Sequence, residues 1–187
     1  TRALHPLLHR HKLTVQPTSG AAALPSLSGR SFALAPSVSW WLAASEARPA
    51  APRSALVVAG PRLEHAVEEA CGVGESYHSA DVLVGADASI ANVTAAMARH
   101  DVLHVVAHGR FRHDNPLWST IELADGELTA YELERWSNAR GTVPPTVVLA
   151  TCESGVGGAR GGRQLRGLTT TLLGMGVSTV VAAIGAL

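Results

Sequence analysis

The chain has 187 residues, 47% of them hydrophobic and 16% charged, and its 15 basic and 15 acidic residues balance to a formal net charge of zero. That length suits one domain able to bury about two-thirds of the surface its unfolded chain exposes, and the balanced charge does not advertise a nucleic-acid or anionic-membrane partner. Apolar stretches such as Val147 to Ala150 and Val180 to Ile184 fall far short of the roughly 20 residues of a membrane helix, and Cys71 and Cys152 alone make neither a stapled secreted scaffold nor a CxxC zinc site.

The expectation is a soluble domain of a reducing, cytoplasmic interior that binds neither membrane nor nucleic acid directly. The chain opens at Thr1 without a methionine, shows no signal peptide and ends at Leu187 inside an apolar run, which fits a piece of a longer protein.

Taken in order, Leu13 to Val15 and Phe32 to Ala35 read as an entry hairpin or paired strands, separated by Gly, Ser and Pro punctuation, and Glu46 to Arg53, with Pro49 and Pro52, reads as a linker. Ala55 to Ala59 is then a buried strand, Arg62 to Cys71 a helix and Asp81 to Val84 a second strand. Ser89 caps a helix running towards Arg99, because its hydroxyl can accept a free N–H of the first turn. Val102 to Ala107 is the third strand, Gly109 to Gly126 a polar, hairpin-like insertion, and Thr129 the cap of a short helix to Trp136. Pro144-Pro145 introduces a fourth strand, Thr146 to Thr151; Gln164 to Met175 is a helix and Ser178 to Ile184 a fifth strand. Apolar β-branched runs alternating with amphipathic stretches predict a layered α/β domain around a mainly parallel sheet.

In such a sheet, reactive groups gather beyond the carboxyl ends of the strands. The third strand delivers His108-Gly109 and the fourth delivers Cys152-Glu153-Ser154-Gly155, and neighbouring parallel strands would bring both tips together. A thiol attacks a carbonyl as thiolate, and an imidazole both stabilises that ion and returns a proton to the leaving amine. Gly109 lacks a Cβ, so its N–H can approach a developing oxyanion, with the N–H of Cys152 as second donor. The spacing from His108 to Cys152 is close to the caspase arrangement, in which the histidine precedes the cysteine by about 50 residues.

Several ordered motifs then resemble one family, the CHAT peptidases, which are caspase-like and related to separase. They are Leu103-His104-Val105-Val106-Ala107-His108-Gly109-Arg110-Phe111, Asp114-Asn115-Pro116-Leu117-Trp118-Ser119, Leu123-Ala124-Asp125-Gly126, Leu128-Thr129 and Glu132-Leu133-Glu134. Further along come Val147-Val148-Leu149-Ala150-Thr151-Cys152-Glu153-Ser154-Gly155, Gly167-Leu168 and Gly176-Val177-Ser178-Thr179-Val180-Val181-Ala182.

The resemblance spans most of 52–187 and, more loosely, the Pro17 to Pro36 region. It implies a caspase-like three-layer α/β/α sandwich, with 1–51 a strand-rich segment and linker of the same region and 52–187 the catalytic core. It also implies a cysteine endopeptidase that cleaves protein or peptide through an acyl-enzyme, with catalytic His108 and Cys152 and an oxyanion hole at Gly109 and Cys152. Neither metal nor cofactor is implied; family members commonly sit at the carboxyl end of long helical-repeat proteins and act as regulated proteases, some after activation by a partner or a nucleic-acid signal, so an activating partner or a helical-repeat region outside this chain is expected. The departures are Ala150-Thr151 where the family has Ser-Ala, a shortened segment after Leu24-Pro25, and an end at Ala183-Ile184-Gly185-Ala186-Leu187 where the family continues. The core is therefore expected to be truncated at its carboxyl end. The alternative is a non-catalytic interaction or signalling module on the same fold.

Other features admit plainer readings. Asp114, Asp125 and Glu153 can select a basic side chain of a substrate, and each equally suits a cap or a solvated turn. His104 and His108 would suit a metal on a helix, but on a strand four residues span roughly 13 Å, so His104 reads as a buried, hydrogen-bonded histidine. Cys71 reads as core or incidental, Trp118 and Trp136 as packing residues, Trp40-Trp41 as core or interface, and His5, His9 and His11 as a solvated terminus. The glycine run Gly155 to Gly162 lacks the Lys-Ser/Thr of a phosphate loop and reads as a mobile loop beside the nucleophile.

Overall fold

The strand Ser54–Ala59 (β1) is apolar on both faces, as a strand covered by helices on either side must be. The computed structural model describes residues 52–110, 112, 115–140, 143–151 and 171–182, with the helical residues Ser39, Leu42 and Ala44. The chain divides into two compact units, Thr1–Arg48 and Pro49–Leu187. The strands expected at Leu13 to Val15 and Phe32 to Ala35, Trp40-Trp41, the three amino-terminal histidines and the glycine run lie outside the described residues.

In the second unit β1 is followed by a helix, Ala66–Glu75 (α1), a strand, Ser79–Leu83 (β2), a helix, Ile90–Met97 (α2), and a strand, Val102–Val106 (β3). Gly109–Arg110 (β4), Thr120–Leu123 (β5) and Gly126–Thr129 (β6) come next, then Ala130–Arg140 (α3), Thr146–Ala150 (β7) and Thr179–Ala182 (β8). Five strands form one sheet in the order β2-β1-β3-β7-β8, every neighbouring pair parallel. The expected hairpin-like insertion is a smaller antiparallel sheet, β4-β5-β6, that runs on to Thr129. This is an α/β domain with helices flanking a parallel sheet, consistent with the caspase-like fold.

Alternation along β1 and β3 sorts the core into two layers. Ala55, Val57, Ala59, Val102 and Val106 pack with Ala66 and Ala70 of α1. Leu56, Val58, Leu103 and Val105 pack with Val93, Ala96 and Met97 of α2, joined by Ile121, Leu123 and Leu128 of the small sheet. Each fully buried Val or Leu stabilises by about 1.5–3 kcal/mol, so these two faces dominate the cohesion of the unit.

Helix α1 begins at Ala66 and not at Arg62, and it runs on to Glu75. Arg62 and His65 both adopt left-handed backbone (φ 57° and 63°), which breaks the helical path and leaves 60–65 as a loop at the carboxyl end of β1. At its other end the helix runs through Gly72, where a Cβ would meet nothing within 4 Å, and Gly74, where α1 presses on the sheet and a Cβ would lie 2.9 Å from Cγ2 of Val82. At Gly74 close packing outweighs the low helix propensity of glycine.

The cap residues behave as their chemistry predicts. Asn92 N–H donates to Ser89 Oγ at 3.3 Å. Thr129 and Glu132 form a reciprocal capping box, with Glu132 N–H donating to Thr129 Oγ1 (3.0 Å) and Thr129 N–H to Glu132 Oε2 (2.9 Å). Bonding from the Thr129 N–H, then from its hydroxyl, holds the Glu132 carboxyl below the ordinary glutamate range. At the amino-terminal rim of the sheet Asp101 accepts the N–H groups of Arg53 (2.9 Å) and Ser54 (3.1 Å), tying the start of β1 to that of β3.

The fourth strand ends at Ala150 and the fifth is described over Thr179–Ala182. Of the helix expected from Gln164 to Met175, residues 171–174 are helical and 164–170 lie outside the described residues. Among the described residues no helix is long and apolar enough to cross a membrane.

Candidate active site

The chain leaves β1, turns left-handed at Arg62 and passes over the exit of β3. Strand order reverses beside β1 and β3: β2 lies on one side of the pair and β7 on the other. Ligands of open parallel sheets bind at the carboxyl ends next to such a reversal. His108 stands at that end, two residues beyond β3.

The imidazole is held by one defined contact. Its Nε2 lies 3.0 Å from the carbonyl oxygen of Arg62, and because a carbonyl can only accept, this partner assigns the proton to Nε2. In that tautomer Nδ1 carries no proton. It is buried and has no hydrogen-bond partner among the described residues.

The surrounding backbone is pinned as well. Gly60 N–H donates to the Val106 carbonyl at 2.8 Å, and Glu122 N–H donates to the His108 carbonyl at 2.8 Å. The Arg62 guanidinium pairs with the Glu122 carboxylate. Gly60 is required by this crowding, since a Cβ there would sit 2.5 Å from the Cβ of Ala107 and 2.8 Å from the Glu122 carbonyl oxygen.

Strands β3 and β7 are adjacent and parallel, and their ladder closes at Val106 opposite Ala150. Two residues further along each chain stand His108 and Cys152; Cys152 itself lies outside the described residues. Thr151, the last described residue on that side, is buried, and its Oγ1 also has no partner among the described residues. Among the described residues, these two unpartnered polar atoms therefore lie at the tips of neighbouring strands.

Gly109 opens β4 opposite Ile121. The bond from Glu122 N–H to the His108 carbonyl makes Gly109 and Ile121 a pair that exchanges no hydrogen bonds, so the Gly109 N–H turns away from β5.

Of the three candidate acids, Asp125 sits in the turn between β5 and β6, where its Oδ1 accepts the Ile90 N–H at 2.8 Å. It serves as a second cap on α2. Asp114 and Glu153 lie outside the described residues.

His104 lies on β3 as expected, facing α1, but its Nε2 makes no hydrogen bond among the described residues and is 4.0 Å from Glu69 Oε1. Burial lowers its basicity below that of an ordinary histidine, and the Glu69 charge offsets part of that effect. Cys71 is exposed on α1 and not in the core. Trp118 stacks on Tyr131 with a centroid separation of 6.2 Å and remains exposed, whereas Trp136 packs on the core.

Sequence reasoning missed Gly60, Arg62 and Glu122. A usable signal was present: Gly60-Pro61-Arg62 follows a buried strand of the same sheet, and the carboxyl-end rule applies to every such strand.

A family description, the CHAT domain, matches residues 6–184. No curated protein matches the chain. With nearly its whole length matched and a flanked, mainly parallel five-stranded sheet observed, the chain belongs to the CHAT-domain family, whose domain is caspase-like and peptidase-related.

Proposed function

We propose that this chain is a caspase-like cysteine endopeptidase domain in which Cys152 is the nucleophile and His108 the proton carrier. The observation that carries the reading is the His108 ring, whose Nε2 is committed to the Arg62 carbonyl and whose Nδ1 is buried and unpartnered among the described residues. That nitrogen belongs to the strand tip next to the one that leads into Cys152.

In the proposed reaction His108 Nδ1 takes the thiol proton, and the thiolate attacks the peptide carbonyl carbon, forming a C–S bond as the carbonyl electrons move onto oxygen. The Gly109 and Cys152 N–H groups hold the oxyanion. Collapse breaks the C–N bond, and the proton on His108 leaves with the amine. Water, deprotonated by the same imidazole, then attacks the acyl-enzyme and releases the thiolate and the acid.

No step calls for a metal or organic cofactor. The substrate is protein or peptide, Asp114 and Glu153 are the acids left to read a basic side chain, and an activating partner or helical-repeat region from outside the chain regulates cleavage in the cytoplasm.

A positional peptide library digested by the full-length protein tests this. Cleavage is expected in the wild type and in neither Cys152→Ala nor His108→Ala, with circular dichroism unchanged. Cleavage surviving in either variant removes the dyad. Iodoacetamide at mildly acidic pH gives a companion measurement, with exposed Cys71 as the internal comparison. Faster labelling of Cys152 is expected, and equal rates would instead favour a non-catalytic interaction module.

A further inference from the structure

Three segments distant in the chain close a loop around one residue. The Arg62 carbonyl meets His108 Nε2 (3.0 Å), the His108 carbonyl meets the Glu122 N–H (2.8 Å), and the Glu122 carboxylate returns to the Arg62 guanidinium. The first two contacts orient the imidazole and its backbone. The third joins the two residues that make them.

We infer that the Arg62–Glu122 ion pair is a clamp that keeps the Arg62 carbonyl on His108 Nε2, and so holds the imidazole in one tautomer and one orientation. Glu122 is thereby a positioning residue for the proton transfer. The inference rests on the proposed role of His108 as base, though its geometry does not depend on Cys152.

Two features argue for a clamp over an idle surface pair. Arg62 is held in left-handed backbone at φ 57°, a conformation costly for a residue with a Cβ and kept only where surroundings enforce it. The loop carrying it lies so close to Ala107 and Glu122 that a Cβ at Gly60 would clash with both. An exposed ion pair adds little stability, and the Arg62 side chain is 73% exposed against 22% for Glu122. Its consequence should therefore appear in the imidazole and not in the melting temperature. The pair also links β5 of the small antiparallel sheet to the exit of β1, so that a displacement of that sheet would release the histidine.

The test is nitrogen-15 NMR of the histidine side chains in the full chain, in alkaline solution where imidazoles are neutral. Wild type is expected to show His108 as a single Nε2–H tautomer whose ring proton is protected from solvent exchange. Arg62→Met, which leaves the carbonyl in place and alters an exposed side chain, and Glu122→Gln should both lose that protected resonance. Arg62→Lys, which keeps a cation for Glu122, should retain it. Folding is monitored in each variant by circular dichroism.

An unchanged His108 resonance in folded Arg62→Met or Glu122→Gln overturns the clamp. Loss of the resonance in both, with retention in Arg62→Lys, supports it even if Cys152 proves unreactive, in which case the peptidase proposal fails alone. Where peptide cleavage is measurable, the two loosened variants should lower kcat and leave KM nearly unchanged, because the clamp touches the proton carrier and not the substrate.

Discussion

Two histidines on one strand have opposite fates because of where the sheet puts them. His104 lies within β3 and faces α1 with a side chain 12% exposed, whereas His108 has passed the strand end and meets a carbonyl. Burial, opposed in part by Glu69, lowers the basicity of His104 in the folded state, so the unfolded chain binds its proton more readily. Stability from this residue is therefore present above the ordinary histidine range, about pH 6.5, and is lost as pH falls through and below it. His104→Leu removes the titrating group and a buried nitrogen lacking a hydrogen bond among the described residues. Urea unfolding of this variant should show a shallower loss of stability between about pH 7 and pH 5, with stability at neutral pH equal to or above wild type. An unchanged slope would show that other groups carry the acid sensitivity.

Among the elements, those fixed by neighbouring residues were the most legible. Ser89 and Thr129 cap the helices that follow them, because an N-cap needs only a hydroxyl and an N–H two or three residues away. Asp125 shows the limit of that logic. Its acid could be read as a specificity determinant, but its Oδ1 accepts from Ile90, 35 residues earlier in the chain. Asp125→Ala should destabilise α2 by about 1 kcal/mol, seen as a lower unfolding midpoint, and leave the preference for basic against neutral substrate residues unchanged. A change in that preference would restore Asp125 as a specificity acid of the proposed peptidase. The start of α1 was misjudged for a related reason, since nothing in the local pattern of Arg62 to His65 signals left-handed backbone at two non-glycine residues.

Across the molecule, the site depends on backbone layers passing at close range. Gly60 lets the exit of β1 lie against Ala107 and Glu122, and the atoms a Cβ would meet include backbone that cannot swing aside. Gly60→Ala is therefore expected to cost about 1–3 kcal/mol, the usual penalty of overpacking, and to weaken the hold of Arg62 on His108. Thermal unfolding checks the first effect and histidine NMR the second; a variant as stable as wild type would mean that the loop has room to move.

What the residues dictate by themselves is the alternation that builds a flanked parallel sheet, the capping chemistry, and a histidine and a cysteine at the ends of predicted strands, in motifs that resemble the CHAT family. These are short-range patterns, and period and capping report them directly. Only the tertiary structure decided that β3 and β7 are neighbours whose ladder closes at Val106 and Ala150. It alone decided that Arg62 and Glu122 close on His108 from either side. Those contacts join segments tens of residues apart, and their existence rests on chain packing and a strained backbone angle, neither of which leaves a periodic trace in the order of amino acids.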